Sequence, residues 1–181
     1  MFSVLTVPGH GNSERGHWHD HWESGELGAR RVNFGEWQHP ELIQWMRRLD
    51  QAVKDECRPT LLAAHSLGAL TVAHWAAGGG RGCVGALLVA VPDPKAPVFP
   101  NARGFELVPE NRLPFPCIVV ASANDPYSSL TRAEELANAW GASFINSGNA
   151  GHINHESKLG RWAHGRDLLG TLRKIAESRP H

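Results

Sequence analysis

Short apolar runs alternate along this chain with longer amphipathic stretches, a pattern that restricts it to a mostly parallel sheet with helices on both faces. Phe2 to Val7, Thr60 to Ala64, Val84 to Val91 and Cys117 to Ala121 read as strands, the third apolar enough to lie at the sheet centre. Arg31 to Phe34 reads as a weak second strand and Ser143 to Ile145 as a short last one. Between them, Leu42, Ile43, Trp45, Met46, Leu49 and Val53 share one broad helical face, and Leu67 to Ala77 keeps helical spacing up to a Gly78-Gly79-Gly80 stop. Leu130 to Trp140 and Arg166 to Ser178 predict two more helices, and His17 to Glu23 a short one capped by Asn12 or Ser13. The proline-rich stretch from Pro92 to Pro116 reads as a long loop. At 181 residues the chain is expected to be one domain, residues 1–181, with a real core.

Charge narrows the function classes. Eighteen basic side chains balance eighteen acidic ones, so no net field favours nucleic acid or an anionic membrane. No apolar run approaches the ~18 residues of a membrane span. The opening MFSVLTVPGHG lacks the basic flank and length of a secretory signal, and three cysteines without CxxC spacing indicate neither a disulfide framework nor a zinc ribbon. A cytoplasmic location is expected.

The segment that carries chemistry is TLLAAHSLGAL, residues 60 to 70. A serine at the turn between a buried strand and a helix sits on a sharp, strained corner that exposes its hydroxyl, the nucleophile elbow of α/β-hydrolases. Small residues must flank it at two positions' remove because the strand and helix backbones approach closely. Here those residues are Ala64 and Gly68, giving A-x-S-x-G around Ser66. The backbone N–H of Leu67 would point at a developing oxyanion.

A nucleophilic serine needs a base, and the base an orienting acid. The order in this fold class is Ser, then Asp or Glu, then His. After the strand ending at Ser122 comes Ala123-Asn124-Asp125-Pro126, and after Ser143 to Ile145 comes Gly148-Asn149-Ala150-Gly151-His152. Ser66, Asp125 and His152 thus follow three strands at the carboxyl edge of a parallel sheet, in the expected order. The Pro8-Gly9-His10-Gly11 turn after the first strand is expected to supply the second oxyanion donor, His10 first and Gly11 next, by main-chain N–H. Asn12 and Trp18 follow closely enough to border a substrate pocket. Trp22 reads as structural, and the 92–116 loop as another wall. His155 reads as a surface or helix-start residue. No cofactor or metal is required by such a site.

Two rival readings exist. His17-Trp18-His19-Asp20-His21 places His17 and His21 on one face at i, i+4, as two metal ligands of a metal-dependent hydrolase would be, but no HExxH or other ligand cluster completes a set. A non-catalytic protein-binding module on a hydrolase scaffold is the other, against which an intact Ser-Asp-His set argues.

The chain resembles the small serine-hydrolase family that includes YdeN and retinoblastoma-binding protein 9. The resemblance rests on VPGHGNS with HWHDHWE, then HPELIQWMRRLDQAV, AHSLGAL, ALLVAVPD, LPFPCIVVASANDPY and GNAGHIN, and runs over nearly the whole length. It implies a compact α/β-hydrolase fold with little or no lid, the nucleophile at Ser66, the acid at Asp125, the base at His152, and hydrolysis of small or activated esters. The L-x-C-x-E peptide that underlies retinoblastoma-protein binding is absent, so that partner is not implied.

Overall fold

Strand periodicity and the positions of the turns translate directly into layers. In a computed structural model that describes residues 2–25 and 27–178, β1 (Ser3–Val7), β2 (Arg30–Arg31), β3 (Thr60–His65), β4 (Cys83–Val89), β5 (Cys117–Ala121) and β6 (Ser143–Asn146) form a sheet in the order β2-β1-β3-β4-β5-β6. Every pairing is parallel, so each connection must cross over a face of the sheet. Helix α1 (Trp18–Ser24) and α5 (Ala163–Glu177) cover one face; α2 (Leu42–Lys54), α3 (Leu67–Ala77) and α4 (Leu130–Trp140) cover the other.

Successive strand side chains alternate between the two faces. Leu62, Ala64, Ala86 and Leu88 meet Leu70, Leu49 and Trp140 on the α2–α4 side, whereas Leu61, Ala63, Leu87 and Val89 meet Trp18, Leu169 and Leu172 on the α1–α5 side. α3 is buried almost all round, which is why its sequence, LGALTVAHWAA, is apolar on every side. No described helix is long and apolar enough to cross a membrane.

Departures from the sequence reading have local causes. The second strand is Arg30–Arg31 and not Arg31–Phe34, because the chain leaves the edge there to stack Phe34 on Trp45, ring centroids 4.1 Å apart. Ile43 is 62% exposed and lies outside the buried face of α2. α1 is capped by neither Asn12 nor Ser13 but by His17, whose ring accepts the His19 N–H. α5 begins at Ala163, three residues before the expected start.

The chain runs from β1 outward to β2 and then back past β1 to β3. The loops leaving β1 and β3 therefore diverge at their carboxyl ends, opening the crevice in which open α/β sheets hold their ligands.

Candidate active site

Ser66 is the single residue between β3 and α3, and its backbone lies at φ 54°, ψ −126°. A non-glycine residue reaches that region only when its surroundings impose it. The Ser66 N–H donates to Val89 O at 2.9 Å, and its carbonyl accepts from Ala69 N–H at 2.9 Å. The α3 backbone also lies so close to β1 that a Cβ on Gly68 would fall 2.3 Å from Val7 O and 2.4 Å from Pro8 O; only glycine fits. On the other side a Cβ on Gly9 would stand 2.9 Å from Ser66 Cβ, so the turn after β1 touches the elbow directly.

His152 arrives from the loop after β6, and its Nε2 is 2.8 Å from Ser66 Oγ. Its Nδ1 is 2.9 and 3.0 Å from the two oxygens of Asp125, which the loop after β5 supplies. An ionised carboxylate only accepts, so Nδ1 carries the proton and donates, leaving Nε2 to accept from the serine hydroxyl. Asp125 is 3% exposed in its side chain and also receives the Tyr127 N–H at 2.9 Å. The two loops are stapled together: Ala150 N–H donates to Ser122 Oγ at 2.9 Å and Gly151 N–H to Asn124 Oδ1 at 2.7 Å.

Around this row of side chains a cavity of about 310 Å³ opens, lined by Ser66, His152, His10, Asn12, His17 and Tyr127 among others. Its walls are mostly polar, with Glu14 and Glu156 at the rim and no lysine or arginine. A larger hollow of about 650 Å³ lies at the opposite end of the strands beside Phe2, Arg30 and Arg173, and has no serine–histidine pair.

Of the expected oxyanion donors, His10 borders the cavity while its ring reaches away to Gln38 O at 3.1 Å. Among the described residues the N–H groups of His10 and Leu67 have no hydrogen-bond acceptor. Gly11 is a correction. It sits at φ 71° as the third residue of a Gly9–Asn12 turn, closed by Asn12 N–H to Gly9 O, and its N–H is committed to Trp37 O at 3.0 Å. Asn12 lies on the cavity wall, where Oδ1 accepts from Ser13 N–H and from Arg31. Trp18 is the second correction: it is 1% exposed, packed on Trp22 and Trp162, and donates its Nε1–H to Ile153 O at 3.0 Å. It is core below the site, not pocket wall. From the 92–116 loop only Pro100 reaches the cavity.

The histidine-dense stretch is used structurally. Both ring nitrogens of His19 are occupied, Nδ1 by Ser13 Oγ at 2.8 Å and Nε2 by Ala63 O at 3.0 Å. Burial, reinforced by His65 and Arg31, lowers the His17 pKa to about 2, so its ring is neutral. Among the described residues no three His, Cys, Asp or Glu side chains converge as metal ligands. His155 opens a 3₁₀ turn and pairs with Glu14 at 3.2 Å. Tyr127, His17 and His65 are among the cavity residues that the sequence did not assign to the site; position next to Asp125 and Ser66 was the available signal for the first and last.

This fold, an open parallel sheet with a strained serine after its third strand, defines an α/β-hydrolase. The family model for serine hydrolases matches residues 4–171, and the chain belongs to that family. A protein described as a YdeN-like hydrolase from Pectobacterium atrosepticum is 32% identical, with a TM-score of 0.88 over 97% of this chain and 92% of that one. The ydeN product of B. subtilis is 18% identical, with a TM-score of 0.78 over 96% of this chain and 100% of that one. A thermophilic esterase shares the fold at 12% identity, with a TM-score of 0.76 over 96% and 90%. Comparison with curated proteins gives no match.

Proposed function

We propose that the chain is a carboxylic ester hydrolase acting on small or activated esters, with Ser66 as nucleophile, His152 as general base and Asp125 as its orienting acid. The observation that carries this reading is the continuous hydrogen-bonded row from Asp125 through His152 to Ser66, at 2.9 and 2.8 Å, on the wall of an open cavity. In the proposed reaction His152 Nε2 takes the serine proton as Oγ attacks the ester carbonyl, and Asp125 stabilises the imidazolium that forms. The tetrahedral oxyanion lies against the N–H groups of Leu67 and His10, each worth about 10²–10³ in rate. The imidazolium then protonates the departing alcohol. Water, deprotonated by the same ring, attacks the acyl-enzyme and releases the acid and free Ser66.

The substrate class follows from the walls. A cavity of about 310 Å³ with polar sides and two glutamates at its rim suits a small, uncharged acyl group better than a long hydrocarbon chain or an anion. The test is hydrolysis of p-nitrophenyl acetate by wild type and Ser66→Ala. The variant should fall to background with an unchanged melting temperature, and wild-type turnover should survive a chelator. A fully active Ser66→Ala protein would overturn the reading.

A further inference from the structure

His65, the last residue of β3, immediately precedes the proposed nucleophile, yet its side chain is 5% exposed and turned into the floor of the site. Its Nε2 lies 2.8 Å from the main-chain oxygen of His152, and the two imidazole rings pack edge to face with centroids 4.9 Å apart. A carbonyl only accepts, so Nε2 must carry the His65 proton. Burial, with His152 adding to it, lowers the His65 pKa well below the ordinary histidine value and leaves that proton as the ring's only one. Other rings flank it, with centroids 4.8 Å away for His17 and 6.3 Å for both Trp18 and His19.

The next carbonyl is held in the same way. Ile153, at φ 49°, presents its oxygen to the Trp18 Nε1–H at 3.0 Å. Two buried ring N–H groups thus grip consecutive carbonyls at the turn that bears His152. Trp18 does so from α1, but His65 does so from the residue bonded to Ser66, so its hydrogen bond ties the base to the nucleophile through one peptide unit.

We propose that His65 is a positioning residue that sets the Ser66–His152 separation by holding the His152 carbonyl. This deepens the reading of Ser66 and His152 as nucleophile and base and rests on it. His65→Phe keeps a ring in the same space and removes the donor; His65→Gln restores an N–H at nearly the same reach without the ring. An ångström-scale drift of the base costs between about tenfold and a hundredfold in rate.

The experiment measures p-nitrophenyl acetate kinetics per active site, each preparation being titrated with a fluorophosphonate. We expect His65→Phe to lose kcat per titrated site by that factor with KM within about twofold, and His65→Gln to recover most of it. A residue that served only stability would lower the titre and the melting temperature and leave kcat per site unchanged; that result, or a change confined to KM, overturns the proposal. Should His65→Phe fail to fold, ¹⁵N NMR of the wild type decides, because His65 must be the Nε2–H tautomer and the Nδ1–H form contradicts the account. Failure of the underlying reading looks different: wild-type Ser66 would not titrate at all.

Discussion

Replacing Asp125 with asparagine exchanges one carboxylate oxygen for an amide NH₂ and disfavours the tautomer that the base needs. Asp125 Oδ1 accepts the Tyr127 N–H at 2.9 Å and also lies 2.9 Å from His152 Nδ1, while its second oxygen lies 3.0 Å from the same nitrogen. In the variant the amide oxygen must face Tyr127 N–H, since the opposite orientation would set two donors against each other. The amide NH₂ then stands where the second oxygen was, 3.0 Å from His152 Nδ1, and its N–H opposes a proton on that nitrogen. The tautomer that relieves this clash carries its proton on Nε2, 2.8 Å from Ser66 Oγ, and in that form the ring cannot take the serine proton. The expected loss in kcat is roughly 10⁴-fold, about 5 kcal/mol of transition-state stabilisation. KM should change little, because Asp125 sits behind the ring, away from substrate. The assay is p-nitrophenyl acetate turnover per folded molecule, with circular dichroism to show that the isosteric change leaves the fold intact. Activity within tenfold of wild type would refute the assignment of Asp125 as the orienting acid.

Acid should destabilise the protein sooner than its carboxylates alone require. Burial lowers the pKa values of His17, His19 and His65, so each is neutral when folded and binds a proton once unfolded below its ordinary value of 6.5. The unfolded state therefore binds more protons, and stability falls as pH drops below 6.5, with a combined slope approaching ~4 kcal/mol per pH unit. The urea midpoint should be flat from pH 8 to 7 and fall steeply toward pH 5; a midpoint constant down to pH 5 contradicts the buried-neutral assignment. The thiols offer a check on packing: Cys57 is exposed, whereas burial pushes the Cys83 thiol up and that of Cys117 up to about 12. One thiol should react quickly with a disulfide reagent in the native protein and three in urea, and more than one fast thiol in the native state would be inconsistent with this core.

The fold was legible where the local signal and the tertiary demand agree. α3 and α4 occupy the residues that periodicity and turn chemistry indicate, and β5 does as well, because each is bounded by glycine, proline or a polar loop and buries the face its apolar residues define. The order Ser66, Asp125, His152 was legible because chain order and strand ends together place loops on one rim. What failed depends on partners distant in sequence. Nothing near Gly11 announces that Trp37 takes its N–H, and nothing near Trp18 announces that Trp162 covers it and Ile153 receives its proton. Phe34 leaves its strand for Trp45, eleven positions on, and the hold of His65 on His152 spans 87 residues. Spacing rules see neighbours along an element; these contacts join elements that meet only once the sheet has formed.

The central claim is tested most directly by a crystal structure of the protein after reaction with a small fluorophosphonate. The account predicts one covalent bond, from phosphorus to Ser66 Oγ, with the phosphoryl oxygen within hydrogen-bond distance of the Leu67 and His10 N–H groups and His152 still on Asp125. Phosphorus on any other residue, or its oxygen turned away from both N–H groups, would contradict it.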